Sequence, residues 1–316
     1  MENASSTSRE ILRNSHGFFV IHKSVFTFVV IFGILGNILV ILSMFRQRRL
    51  FKNNFYYLVF HVTICDLSYL LLSVYHLYVI LLDKNLMYGN LSVCIAFQFF
   101  RELCLIFGAY FMLVISVIRY RAVFHPLKPA ISHARLKLIS CFVYLSTLLI
   151  SFPRLYICIH DYSSRLPLAY AIVVMWIRAF IWYGFPVTMM AVIYWKICRE
   201  LIRQNNAIKS MTSNANASGK FNRLLHHRNW RTFVVSLIAV VCFAVGGLPR
   251  HVANFFLPTD PDRSIRYHVD LLMKYGWIMQ TAGTCAVNPL IYGILDKKLL
   301  SFFKLCQKTP KIRVTP

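Results

Sequence analysis

The sequence predicts an all-α membrane protein: a bundle of seven transmembrane helices followed by a short amphipathic eighth. Two observations carry that expectation. Of the 316 residues, 58% are hydrophobic and 15% are charged, whereas a soluble domain carries about 25% charged residues. The apolar residues also come in blocks, and a membrane helix needs about 20 of them in a row. A membrane barrel would alternate apolar and polar residues over strand lengths, and no such pattern occurs.

The blocks, in order, are Ser24–Phe45, Tyr56–Leu82, Val93–Ile118, Leu136–Phe152, Leu166–Cys198, Trp230–Phe256 and Val269–Leu295. Several exceed the minimum, which permits tilt but fixes no angle. Residues 1–23 are polar and lack the short apolar core of a cleavable signal peptide. They read as an extracellular tail, with the first span as insertion signal. Residues 24–295 form the membrane domain. Residues 296–316 open with DKKLLSFFKLC, an amphipathic segment, and end in a cytoplasmic tail.

The loops set the orientation. The first holds Arg46, Arg48, Arg49 and Lys52, the third Arg121, Lys128, Arg135 and Lys137, and the fifth Arg203, Lys209, Lys220, Arg223 and Arg228. The tail adds Lys297, Lys298, Lys304, Lys308, Lys311 and Arg313, while the even-numbered loops are poorer in cations. The positive-inside rule puts the N-terminus outside and the C-terminus in the cytoplasm. It also accounts for the net charge of +24: these cations meet membrane lipid, and no nucleic acid is expected as a partner. Asn3 and Asn90 lie in glycosylation sequons on the outside, and Asn216 lies in one on the inside that should stay unmodified. Ser210–Gly219 reads as a flexible loop tip. No internal repeat of the kind found in many transporters is present.

Several polar residues and prolines recur at set places in these spans. The first holds Asn37 in GNILV, the second Asp66 in TICDL, and the third ends at Arg119-Tyr120 before VFHPL, with Pro126 and Leu127. The fifth has Pro186 with Tyr194 two turns later, and the sixth Phe243 six residues before Pro249. The seventh ends in NPLIY, Asn288, Pro289 and on to Tyr292. A charged Asp66 inside lipid costs about 3 kcal/mol or more, so it is a functional candidate by default. Pro186 and Pro289 interrupt the backbone ladder and allow bends.

This ordered set resembles the rhodopsin-like (class A) G-protein-coupled receptors, from Ser24 to Cys306. The resemblance implies a plasma-membrane receptor for an extracellular ligand, with a heterotrimeric G protein as partner, no enzyme activity and no cofactor. It implies that Arg119, Tyr194 and Tyr292 hold an open state, while Val123, Pro126 and Leu127 contact the partner. It implies a polar core of Asn37, Asp66 and Asn288, often with a sodium ion. Here Cys104 and Gly108 stand where polar ligands are usual, so sodium is not expected. It also implies a disulfide between Cys94 and Cys158, on the oxidising side. Cys65, Cys104, Cys141, Cys242 and Cys285 fall within spans and read as packing residues, and Cys198 sits at a cytoplasmic end. Cys306 is a palmitoylation candidate.

The chain departs from the family pattern in ways that mark it as divergent or orphan-type. Ile118 replaces the acid that pairs with Arg119 in the resting state, which predicts raised basal activity. Gly246-Gly247 replace the usual Cys-Trp before Pro249. The fourth span offers Phe142 and Tyr144 where a tryptophan is customary, and the first extracellular loop has Met87-Tyr88-Gly89 in place of another.

Helix geometry places Arg101 at the end where the resemblance implies a ligand site. Arg101 precedes Arg119 by 18 residues, five turns or about 27 Å. If Arg119 faces the bundle at one end, Arg101 faces it near the other. Arg178, Arg250, His251 and Lys274 are expected at the same level, with Glu102 as the obvious acid. Converging cations repel one another unless anions join them, which points to an anionic ligand: a lipid, a nucleotide or a peptide carboxylate. Arginine suits such groups because its planar fork binds them bidentately. The plainer alternative is that Glu102 and loop acids such as Asp161 or Asp262 neutralise the cluster. An amine ligand would need an acid where Arg101 stands, and Thr281 to Ala286 lacks the lysine an opsin needs. Two other readings stay open, a seven-span receptor without G-protein signalling and a membrane transporter. No HExxH or GxSxG pattern supports an enzyme.

Overall fold

The computed structural model describes residues 2–82, 92, 95–163, 168–210, 217–256 and 263–295. Among these residues there is no strand. Helix α1 is Glu2–Arg46, a 3-10 turn follows at Arg48–Lys52, and α2 is Asn54–Leu82. Helix α3 opens with a π turn, Ile95–Phe100, and continues as Arg101–Phe124. Helix α4 is His133–Ser163. Helix α5 runs from Leu168–Ala179 through a π turn at Phe180–Gly184 into Phe185–Ser210. Helix α6 is Ala217–Phe256, and α7 comprises Arg263–Thr281, a π turn at Ala282–Ala286 and Asn288–Leu295.

Among the described residues, six stretches are long and apolar enough to cross a membrane: Val20–Arg46, Asn54–Val74, Arg101–Phe124, His133–Pro153, Met175–Ile208 and Asn229–Asn254. The seventh expected span lies in α7. Its first segment carries Arg263, Arg266, Asp270 and Lys274, and a π turn divides the apolar remainder. Large side chains such as Phe28, Leu138, Phe142 and Leu149 point outward, as a lipid-facing surface requires. Met44, Leu58, Phe111, Leu136, Met190, Ile197 and Leu201 fill the interior.

The helices outrun the apolar blocks. Helix α4 continues past Phe152 to Ser163 with Pro153 inside it, because hydropathy marks where lipid begins and not where helix ends. Two of the π turns precede a proline, and the physical link is the missing N–H. Carbonyls behind Pro289 lose their helical donor, and side-chain amides replace it. Asn37 Nδ2 donates to Cys285 O at 3.1 Å and Asn288 Nδ2 to Thr284 O at 2.6 Å. Behind Pro186, the Tyr110 hydroxyl of α3 donates to Ile181 O at 3.2 Å.

Small residues bring α6 and α7 into backbone contact, the usual solution inside lipid. A Cβ on Gly276 would stand 2.7 Å from Arg250 N, and one on Gly246 would stand 2.7 Å from Met279 O. The six cysteines Cys65, Cys104, Cys141, Cys198, Cys242 and Cys285 are unbridged. Asn90, Cys94, Asp262, Cys306 and the amphipathic segment fall outside the described residues. So do the side chains of Asn3, Cys158, Asp161 and Tyr292.

Candidate functional site

Arg101 opens the α-helical part of α3, and both it and Glu102 are buried. Glu102 is the hub of an ion-pair cluster. Its Oε2 accepts from Arg178 Nη2 of α5 at 2.5 Å, and its Oε1 accepts from Arg250 Nη2 of α6 at 3.1 Å. Arg250 Nη1 also donates to Gln280 Oε1 of α7 at 2.6 Å. One carboxylate therefore cross-links α3, α5 and α6, and Gln280 adds α7.

Aromatic faces hold the guanidiniums in place. Arg178 Cζ lies 4.2 Å from the Trp182 ring centre, one helical turn on. Arg101 Cζ lies 3.9 Å and Arg250 Cζ 4.8 Å from the ring centre of Trp277, and Arg101 also approaches Tyr69 at 5.9 Å. Such contacts are worth about 0.5–2 kcal/mol each and favour a cation that has left water. Two buried donors, Trp182 Nε1 and Arg250 Nε, have no acceptor among the described residues. His251 stacks on Tyr183 at 4.4 Å. Lys274 is exposed and outside the ion pairs, while its carbonyl lies 3.0 Å from His22 Nε2 of α1.

The place of the missing tryptophan is filled from another helix. A Cβ on Gly247 would stand 2.7 Å from Tyr183 Cε2, so only glycine admits the Tyr183 ring against α6. The Tyr183 hydroxyl donates to Ala244 O, tying α5 to α6 one turn before Pro249. In α4, Phe142 faces outward and Tyr144 turns inward, its hydroxyl 2.8 Å from His61 Nδ1.

Midway down the bundle, Asn288 Nδ2 donates to Asp66 Oδ2 at 2.8 Å, and all three expected core residues, Asn37, Asp66 and Asn288, are buried. Gly108 faces Asp66 Oδ1, a Cβ there standing 3.7 Å away. Neither Gly108 nor Cys104 offers a side-chain oxygen, so α3 does not fit a hard cation at this aspartate.

At the far end of α3 the surroundings change. Arg119 Cζ lies 4.1 Å from the Phe55 ring centre of α2. Ile118 packs against the apolar core. Tyr120 stacks on Phe124 at 4.3 Å. Tyr194 is buried and shares a cavity of about 10 Å³ with Phe55, Met112, Ile115 and Ser236, on the order of one water molecule. Beyond α3 the chain turns at Pro126 and Leu127, with Lys128 N donating to His125 O at 3.1 Å. Leu127 is 98% exposed, whereas Val123 is buried in the core. Asn54 Nδ2 donates to Ile131 O at 2.8 Å, fixing this turn to the start of α2.

The structure thus brings Arg101, Glu102, Arg178 and Arg250 together, sets His251 beside them and leaves Lys274 outside. Residues absent from the sequence-based set are Trp182, Trp277, Gln280 and Tyr183. Helical spacing gives a partial signal for them: Trp182 follows Arg178 by one turn, and Trp277, Gln280, Thr284 and Asn288 form one stripe of α7. No local pattern marks Tyr183, whose partner is an absent side chain on α6.

A family model described as 7 transmembrane receptor (rhodopsin family) matches residues 36–292. The chain is 23% identical over 298 residues to neuropeptide Y receptor type 6 of Oryctolagus cuniculus, covering 86% of this chain and 76% of that receptor. It is 22% identical over 306 residues to the substance-P receptor of Cavia porcellus, covering 90% and 70%. It is 24% identical over 318 residues to neuromedin-U receptor 2 of Homo sapiens, covering 92% and 72%.

Proposed function

Because the chain belongs to the rhodopsin family of 7 transmembrane receptors, we propose that it binds a peptide with an acidic group at the Arg101 end and activates a heterotrimeric G protein at the Arg119 end. It does so as a multi-pass protein of the plasma membrane, N-terminus outside. Residues 1–23 form the outer tail and 296–316 the amphipathic helix and inner tail. A Cys94–Cys158 disulfide, glycans on Asn3 and Asn90 and a palmitoyl group on Cys306 belong to the same proposal.

One observation carries the reading: guanidiniums from α3, α5 and α6 converge around the Trp277 ring and the Glu102 carboxylate. Arg101, Arg178 and Arg250 are the ligand contacts, with Glu102, His251 and Trp277 shaping the site and Lys274 at its rim. The peptide class follows the relatives, which are named as receptors for neuropeptide Y, substance P and neuromedin U.

Signalling is a population shift: the ligand binds one packing of the bundle more tightly and moves the equilibrium toward it. The Arg119 ends of α3, α5 and α6 then part to admit a G-protein helix. Arg119, Tyr120, Tyr194 and Tyr292 hold that state, with bends at Asn288 and Pro289, and Pro126 and the exposed Leu127 meet the partner.

The test is G-protein dissociation in cells expressing the full chain, read against peptides with free C-terminal carboxylates, acidic lipids and nucleotides. Arg101→Ala and Arg178→Ala should abolish the response while surface expression persists. Normal dose responses in both variants contradict the site. Identical signals from wild type and Arg119→Ala in every arm favour a receptor that does not couple to G proteins.

A further inference from the structure

Glu102 is the carboxylate that Arg178 and Arg250 share, and both of its oxygens are engaged. Its two oxygens take separate arginines, Arg178 at 2.5 Å and Arg250 at 3.1 Å. The arginines, in contrast, have contacts besides Glu102. Arg178 lies on Trp182, and Arg250 is held by Gln280 Oε1 at 2.6 Å and by the Trp277 ring. The two guanidiniums therefore stand ready for a carboxylate whether or not Glu102 supplies it. Beside them, Trp182 Nε1 and Arg250 Nε are buried N–H groups with no acceptor among the described residues.

We infer that Glu102 holds the place of the ligand's own acidic group, and that this group is a carboxylate that displaces Glu102 from Arg178 and Arg250. The inference rests on the proposed reading that the ligand is anionic. It adds which acid, where it binds and what it replaces. The two guanidiniums already engage the two oxygens of one planar carboxylate, the geometry a peptide C-terminus or an acidic side chain reproduces. A phosphate is tetrahedral, so its further oxygens lie outside the single plane in which one carboxylate presents its two oxygens.

The exchange supplies what a switch requires, a contact that differs between two states. With Glu102 in place, α3 is bonded to both α5 and α6. With a ligand carboxylate in place, α5 and α6 stay bridged through the ligand while α3 is released. No covalent step is involved, and the charge between the arginines stays the same.

The experiment is a chemical rescue that needs no knowledge of the natural ligand. The full chain is purified into lipid nanodiscs, and its thermal midpoint is measured in sodium acetate, sodium phosphate and sodium chloride at equal ionic strength. Glu102→Ala leaves a carboxylate-sized gap between Arg178 and Arg250. Acetate should raise the midpoint of this variant by about 2–4 °C over chloride, leave wild type unchanged, and lose its effect in Glu102→Ala/Arg250→Gln. If Glu102→Ala does not accumulate, the comparison is made on the isosteric Glu102→Gln, where acetate displaces a neutral amide and the same selectivity is expected. An equal rise in wild type, or no acetate effect in either variant, overturns the exchange. An equal effect of phosphate overturns the carboxylate assignment and leaves the anionic-ligand reading intact. That reading stands or falls separately, on the Arg101 and Arg178 variants in cells.

Discussion

Arg101 and Arg119 sit five turns apart on one helix, and their surroundings differ in kind. Around Arg101 the bundle is cross-linked ionically, with Glu102 of α3 joined to Arg178 of α5 and Arg250 of α6. At Arg119 the Phe55 ring of α2 lies beneath the guanidinium, and the neighbouring Ile118 packs into the core. The family pattern places a restraining acid beside the arginine at the G-protein end. Among the described residues the acid that pairs with arginines of two other helices, Glu102, is at the other end. The ionic cross-link therefore stands where the ligand is proposed to bind, and the proposed exchange would release α3 from it.

The largest expected effect tests the ionic end. Glu102→Gln removes the shared partner of the buried Arg250 and the half-buried Arg178, and breaking a buried pair from one side costs about 3–5 kcal/mol. The purified chain should melt well below wild type; an unchanged midpoint would mean that the two ends do not differ in strength. Gly276→Ala comes next. Its Cβ would meet Arg250 N at 2.7 Å, so α7 must shift away from α6 at a cost of about 1–3 kcal/mol, and the peptide response should weaken with it. At Gly184 the nearest atom lies at 3.5 Å, and alanine there should melt within about 1 °C of wild type. Equal losses at the two glycines would remove close helix approach as the cause.

The effects at the Arg119 end are smaller. Phe55→Leu removes a cation–π contact worth about 0.5–2 kcal/mol, and ligand-independent G-protein dissociation should rise by no more than about 30-fold. Ile118→Asp supplies a carboxylate beside Arg119 near the membrane surface, where ion pairs are worth about 1 kcal/mol or less. It should lower the basal signal by a few-fold at most. A basal signal that does not fall at equal expression would show that Ile118 is not what sets it.

Much of this was readable from sequence, for a physical reason. Lipid forces long apolar helices, so the spans stand out, and the rise of an α-helix carries Arg119's orientation back to Arg101. Both arginines do face α2, through Tyr69 and Phe55. The pairing of Glu102 with two cations was foreseeable as the plainer reading of the cluster, though not the choice of Arg178 and Arg250. What stayed hidden arises between helices. The π turn at Phe180–Gly184 rotates Tyr183 toward α6, and the Tyr183 ring then occupies the space that Gly247 leaves. Neither residue announces the other along the chain. Trp277 likewise had no charge to single it out, yet its ring underlies two guanidiniums. Lys274, expected beside the arginines, lies with its side chain on the exposed side of α7.

The most direct test is ligand-independent G-protein dissociation in cells, at matched surface expression, for wild type, Glu102→Gln and Phe55→Leu. If the bundle is held chiefly at the Arg101 end, Glu102→Gln raises the basal signal more than Phe55→Leu does. A rise with Phe55→Leu and none with Glu102→Gln would contradict the account.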